Sequence, residues 1–284
     1  MNKVIVLSVL CITMFGICFS QPKKIVRDDL VISSHVKIEK IDSHCFRFSY
    51  LFINDIKSNQ SLCGLSIELN DKLIKHGGSL KNIVPPQEKN WGKFPIIMKK
   101  MGWATYYDTT GLDFLELPPK SVVKPGESIS FSFEAKGLPG IGFFWAEGWA
   151  KWMFTQEEED SLIEIGYTEG SIRALYENFF KGTTIIRHSP PEPFVVTSFL
   201  DTLISYKHQS RALGWIDNDG IVNSLDKKLE NAKQQLQKGN TTSAKNIIQA
   251  FINEVEAQKD KHLTSEAYAL LKYNAEYLLE KLGK

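Results

Sequence analysis

Hydrophobic residues recur along this chain with two different periods, and the change falls near residue 190. From Val26 to about Arg187 the dominant period is two, the mark of half-buried strands. Between His44 and Asn54 the even positions Phe46, Phe48, Tyr50 and Phe52 form one face. Between Ser61 and Leu69 the odd positions Cys63, Leu65, Ile67 and Leu69 do the same. These segments predict a hairpin pair turning through Asp55 to Gln60. Ser128–Glu134 sets Ile129, Phe131 and Phe133 against Ser128, Ser130, Ser132 and Glu134, after a turn at Pro125-Gly126. Further strands are predicted at Val31–Ile41, Ala104–Asp108, Leu112–Leu117, Gly142–Ala150 and Thr183–Arg187. Turn signals at Gly77-Gly78, Pro85-Pro86, Pro118-Pro119 and Pro139-Gly140 separate them. This spacing predicts an antiparallel β-sandwich, immunoglobulin-like or similar, with a closed barrel as the alternative.

His188-Ser-Pro-Pro-Glu-Pro-Phe194 reads as a linker, because so many prolines cannot continue a helix. Beyond it the period becomes helical, in four segments: Thr197–Leu213, Asp219–Gln237, Thr241–Gln258 and Thr264–Leu282. Ile221, Leu225, Leu229, Ala232 and Leu236 share one stripe; so do Ala244, Ile247, Ile248, Phe251, Ile252 and Val255. Ala267, Leu270, Leu271, Leu278 and Leu282 form the last. Thr241 or Thr242, and Thr264 or Ser265, are expected helix N-caps. Short connections predict a small up-and-down bundle. The fold class expected is therefore all-β plus all-α, with the sandwich at 21–187, a proline-rich linker at 188–196 and the bundle at 197–284.

Residues 1–20 stand apart. Met1-Asn2-Lys3 is basic, Val4 to Ile17 carries no charge, and Cys18-Phe19-Ser20 puts small side chains before Gln21. That is the pattern of a secretory signal peptide. A retained anchor is the alternative; a lipoprotein fits less well, since bulky Ile17 precedes Cys18. The expected location is secreted or cell-surface, with the periplasm also compatible, and with no permanent membrane span after cleavage. The chain carries 34 basic and 33 acidic residues, net +1, and without Lys3 the charges balance. No half carries the basic excess of a nucleic-acid binder.

Two cysteines remain after processing, Cys45 and Cys63. Strand parity turns Cys63 toward the core and Cys45 away from it, which argues against a bridge between them. The sequence holds no HExxH, GxSxG, P-loop or CxxC motif, and the six histidines lack metal-ligand spacing. No cofactor, metal or catalytic residue is expected, although a triad dispersed along the chain leaves no such trace. Asp217-Asn218-Asp219-Gly220 resembles the start of a calcium loop, but its alignment places Trp215 first and Asp226 last. A polar turn is expected instead, with Asp217 or Asp219 capping the next helix. Glu157-Glu158-Glu159-Asp160 reads as a solvated loop.

The leading candidate for ligand binding is aromatic. Phe143, Phe144, Trp145, Trp149, Trp152 and Phe154 fall in one short stretch. Trp145, Trp149 and Trp152, if exposed and coplanar, offer stacking faces for sugar rings; buried, they fill the core. Tyr273 and Tyr277, four apart on the last helix, are expected to pack inside the bundle.

Four phrases in the helical half carry a family resemblance: Thr202-Leu-Ile-Ser-Tyr206, Gly220-Ile-Val-Asn-Ser-Leu225, Ala250-Phe-Ile-Asn-Glu-Val-Glu-Ala-Gln258 and His262-Leu-Thr-Ser-Glu-Ala-Tyr-Ala-Leu-Leu271. In this order they resemble the FIMAH domain, a helical module at the C-terminal end of exported bacterial and archaeal proteins. The resemblance spans about Phe199 to Leu282, and it implies an α-helical bundle without catalytic residues to transfer. More weakly, Lys124-Pro-Gly-Glu-Ser-Ile-Ser-Phe-Ser-Phe133, Gly137-Leu-Pro-Gly-Ile141 and Lys181-Gly-Thr-Thr184 resemble an uncharacterised β-rich region that precedes such modules. The function expected is non-enzymatic extracellular or surface interaction, toward a glycan or a surface protein. A carbohydrate-binding module on the tryptophans, and a secreted hydrolase with a dispersed site, are the rivals; a mere spacer is the duller option.

Overall fold

The structure is a computed structural model that describes residues 30–68, 80–86, 91–93, 100–104, 122–148, 163–164, 166, 168 and 180–283. The expected signal peptide, the acidic run 157–160, and the strands expected at 105–108 and 112–117 lie outside the described residues. Among the described residues nine strands come first: β1 (Ile32–Lys40), β2 (Cys45–Asn54), β3 (Leu62–Glu68), β4 (Lys81–Val84), β5 (Gly92–Lys93), β6 (Lys100–Ala104), β7 (Ser128–Lys136), β8 (Leu138–Gly148) and β9 (Phe180–His188). They form two antiparallel sheets, ordered β1-β2-β7-β4 and β5-β6-β3-β8-β9.

The alternating pattern of β2 explains the core. Phe46, Phe48, Tyr50 and Phe52 are all buried, opposite Ile129, Phe131 and Phe133 of β7. Phe52 meets Phe144 of the other sheet edge to face at 4.9 Å. Tyr50 also crosses the gap, donating its hydroxyl to Ile185 O at 2.9 Å. Near the β1 edge, the Ser34 and Thr184 hydroxyls bond at 2.7 Å.

Two turn readings are corrected. Segments 44–54 and 61–69 do not form a hairpin, because β2 belongs to one sheet and β3 to the other. Two strands with one apolar face each look alike whether they pair side by side or face each other across a sandwich. Pro139-Gly140 is no turn either: it lies inside β8. Among the described residues β3 borders β8 only from Phe144 onward, so Pro139 stands where none of them pairs with one side of the strand. The reversal occurs at Gly137, whose φ of 142° suits glycine. Cys45 and Cys63 consequently stand in different sheets and are not joined; Cys63 is buried and Cys45 half-buried.

Four helices follow: α1 (Val196–Ala212), α2 (Asp219–Gln237), α3 (Thr241–Gln258) and α4 (Ser265–Gly283). Each packs on the next, and α4 closes back onto α1. Leu225 and Leu229 of α2, Ile248 and Phe251 of α3, and Leu270 and Leu278 of α4 are buried. Caps differ in detail from expectation. Asn218, not Asp217 or Asp219, caps α2, accepting Ile221 N–H at 3.2 Å. Asn240 precedes α3 without a side-chain cap bond, whereas Thr264 Oγ1 takes Ala267 N–H at 3.5 Å before α4.

The proline-rich segment does not leave the two halves apart. Phe194 packs on Phe199 of α1 and on Tyr277 of α4, with centroids 5.2 and 5.6 Å away. Tyr273 meets Phe46 of β2 at 4.9 Å. Tyr273 and Tyr277 thus fill the seam between bundle, linker and sandwich rather than the bundle interior. Helix α4 buries side chains on both sides, Glu266 and Asn274 among them.

Replacing Phe52 by alanine removes a ring that touches Tyr50, Phe131 and Phe144. Urea unfolding is expected to register a loss of about 3–5 kcal/mol.

Candidate ligand-binding site

On β8 the period of two turns Phe144 and Ala146 into the core and leaves Phe143 and Trp145 on the opposite face. Phe143 is 39% exposed and Trp145 is half-buried. Across the sheet, Trp145 stands in register with Ser66 of β3 and Lys181 of β9, and Phe143 with Thr183. The two rings meet edge to face, with centroids 6.4 Å apart and planes at 60°. Lys181 Nζ lies 3.8 Å from the centre of the Phe143 ring and 5.8 Å from that of Trp145. Such a cation–π contact contributes about 0.5–1 kcal/mol at an exposed site. Glu68 Oε2 accepts Phe143 N–H at 3.2 Å, which brings a carboxylate beside the rings.

β9 stays close to β8 because of Gly182. A Cβ there would come within 2.3 Å of the Phe144 ring, so only glycine lets that ring lie beneath the strand. The face therefore combines two apolar rings with hydroxyls from Ser66 and Thr183, one ammonium and one carboxylate. It offers stacking and hydrogen bonding together, without coplanar rings.

Of the three tryptophans that were candidates for a platform or for the core, Trp145 is on this face, while Trp149 and Trp152 lie outside the described residues. Sequence reasoning missed Lys181, which joins Trp145 only through the β8–β9 pairing. Alternation did not mark it, since Lys181, Thr183 and the buried Ile185 share one parity. Trp91, too isolated in sequence to interpret, is a core residue at 4% exposure.

Two other polar groups are structural. Across the first sheet, Glu39, Arg47, Glu134 and Lys81 stand in one row of alternating sign. Arg47 Nη2 and Asn82 Nδ2 each reach Glu134 at 2.6 Å. Hydrogen bonds from Arg47 and Asn82 hold the Glu134 carboxyl below its ordinary pKa. Asn82 donates from a left-handed backbone, φ 47°, which asparagine tolerates. In the bundle, the fully buried Lys207 of α1 pairs with Asp226 of α2, and His208 Nε2 lies 3.8 Å from the same carboxylate.

Asp217 and Asp219 likewise meet basic side chains, His262 at 2.7 Å and Arg211 at 2.6 Å. The carboxylates of the calcium-loop lookalike thus point to separate partners, as a polar turn would have them. Among the described residues no group of three or more His, Cys, Asp or Glu is placed to hold a metal ion. Nor, among them, is any helix long and apolar enough to cross a membrane.

Residues 200–280 match the family described as the FIMAH domain. The match covers the four helices, so the helical half is similar to that domain. No curated protein matches the chain.

A carboxyl whose pKa is depressed in the folded state stabilises the fold above its ordinary pKa of about 4.5, and that contribution is lost as pH falls through the folded value. Glu134→Gln is therefore expected to lower stability near neutrality and to flatten its decline below about pH 4.5, read from urea midpoints across an acid series.

Proposed function

We propose that this chain is an exported, non-enzymatic recognition protein that binds a glycan on the outward face of β3, β8 and β9. The observation that carries the reading is the pairing of Phe143 with Trp145 on that face, with Lys181 above the rings. The C–H face of a sugar is apolar and stacks on aromatic rings, while its hydroxyls take hydrogen bonds. Ser66, Thr183, Lys181 and Glu68 supply the polar partners for those hydroxyls. Lys181 caps the Phe143 ring and must swing aside when a sugar stacks there. Its long, flexible stem permits that movement.

Export is supported by the basic start, uncharged run and small residues of Met1 to Ser20. The FIMAH similarity of the helical half fits a protein of the cell exterior. In this reading the sandwich recognises the ligand and the bundle braces it.

The test is a glycan array probed with residues 21–284, beside Phe143→Ala/Trp145→Ala and Lys181→Ala. Wild-type protein is expected to select a glycan class. The double variant should bind it about tenfold or more weakly, a loss of about 1.4 kcal/mol or more. Both residues face away from the core, so the variant's melting curve should stay close to wild type. An unchanged binding profile in a folded double variant would overturn the site.

A further inference from the structure

The free edge of an antiparallel sheet carries unpaired N–H and C=O groups at every second residue, and it pairs readily with a strand that reaches it. β1 is such an edge, since β2 pairs with it on one side only. Side chains of α4 meet its outward groups. Glu266, 3% exposed, takes Val36 N–H on Oε1 at 2.7 Å. Tyr273 donates its hydroxyl to Ile38 O at 3.3 Å, and Lys40 N–H faces the Tyr273 hydroxyl oxygen. Lys40 Nζ reaches Glu276 at 2.7 Å. Asn274 anchors the helix beside the edge, donating to Pro139 O of β8 at 2.8 Å.

The fit follows from two repeat lengths. From Glu266 to Tyr273 the helix advances about 10 Å, at roughly 1.5 Å per residue. Three strand residues advance about the same distance, at roughly 3.3 Å each. A helix lying along β1 therefore meets successive outward backbone groups with Glu266 and Tyr273, and the Lys40 side chain with Glu276. It completes with side chains the ladder that another strand would complete with backbone.

We propose that the outward edge of β1 is a strand-pairing surface for a second copy of this chain, and that α4 is the built-in cover that holds it closed. The charges of β1 favour that occupant. An antiparallel pairing about a two-fold axis at Ile38 sets Lys37 of each copy opposite Glu39 of the other. In the closed chain these two residues pair along the same strand, at 2.7 Å. β1 is thus self-complementary in charge, and its Ile38 residues face each other with their N–H and C=O groups available to exchange.

The test uses residues 21–284 carrying Glu266→Ala and Tyr273→Phe, which removes both edge bonds but keeps the ring on Phe46. Amide exchange at Val36 and Lys40 is expected to quicken about tenfold or more. Light scattering should show a dimer that grows with concentration. Adding Lys37→Glu sets like charges opposite one another and should return the monomer; the further change Glu39→Lys should restore the dimer. Unchanged exchange would overturn α4 as the cover. A monomer at every concentration, or a dimer indifferent to residues 37 and 39, would overturn β1 as the pairing edge. Should circular dichroism show the double variant unfolded, Tyr273→Phe alone decides. Exchange must then quicken at Lys40 and hold at Val36, and any other pattern overturns the proposal.

Discussion

A sandwich of two open sheets has strand edges whose backbone groups must be paired, covered or left to water, and that constraint organises this molecule. The β1 edge is covered by a helix from the far end of the chain. Glu266 and Tyr273 act where a neighbouring strand would have acted. A carboxylate as buried as Glu266 is costly unless hydrogen-bonded, and the Val36 N–H meets that need. Helix, linker and sandwich are thereby held in one arrangement, with Phe46, Phe194, Phe199, Tyr273 and Tyr277 packed in the seam.

This arrangement changes how the helical half is understood. A FIMAH-like bundle on a flexible tether would present all its surfaces to partners. Here the outward side of α4 is spent on the sandwich, and Phe194 pins the proline-rich segment to the bundle. Phe143, Trp145 and Lys181 gather on a strand pair, β8 and β9, whose other end α4 supports through Asn274 and Pro139. Recognition and bracing thus share β8.

Much of the fold was legible in the sequence because burial imposes a period on each element. The helices begin and end within a residue or so of the periodic stripes, since Gly239 and the residues before each helix mark chain reversals. The strands β1, β2, β3 and β7 follow from the sequence pattern, and the expected strand at Thr183–Arg187 covers the later part of β9. Strands β4, β5 and β6 were not anticipated, being too short or too weakly alternating to stand out. Of the proposed site, Trp145 was legible from its strand parity and from the aromatic crowding around it. Lys181 was not, because it is separated from Trp145 by many residues and meets it only through strand pairing.

The sequence by itself determined which residues turn inward, where helix replaces strand, and that the last four helices resemble a known module. All of these depend on neighbours within a few residues. The tertiary structure decided what lies beside what: that β2 and β3 face each other across the core, that Pro139 sits within a strand, and that the Tyr273–Tyr277 pair seals two halves together. Those outcomes depend on contacts between residues such as Val36 and Glu266, 230 positions apart. A local pattern shows that a polar group or an apolar face needs a partner; only the folded chain brings one of many eligible partners within reach.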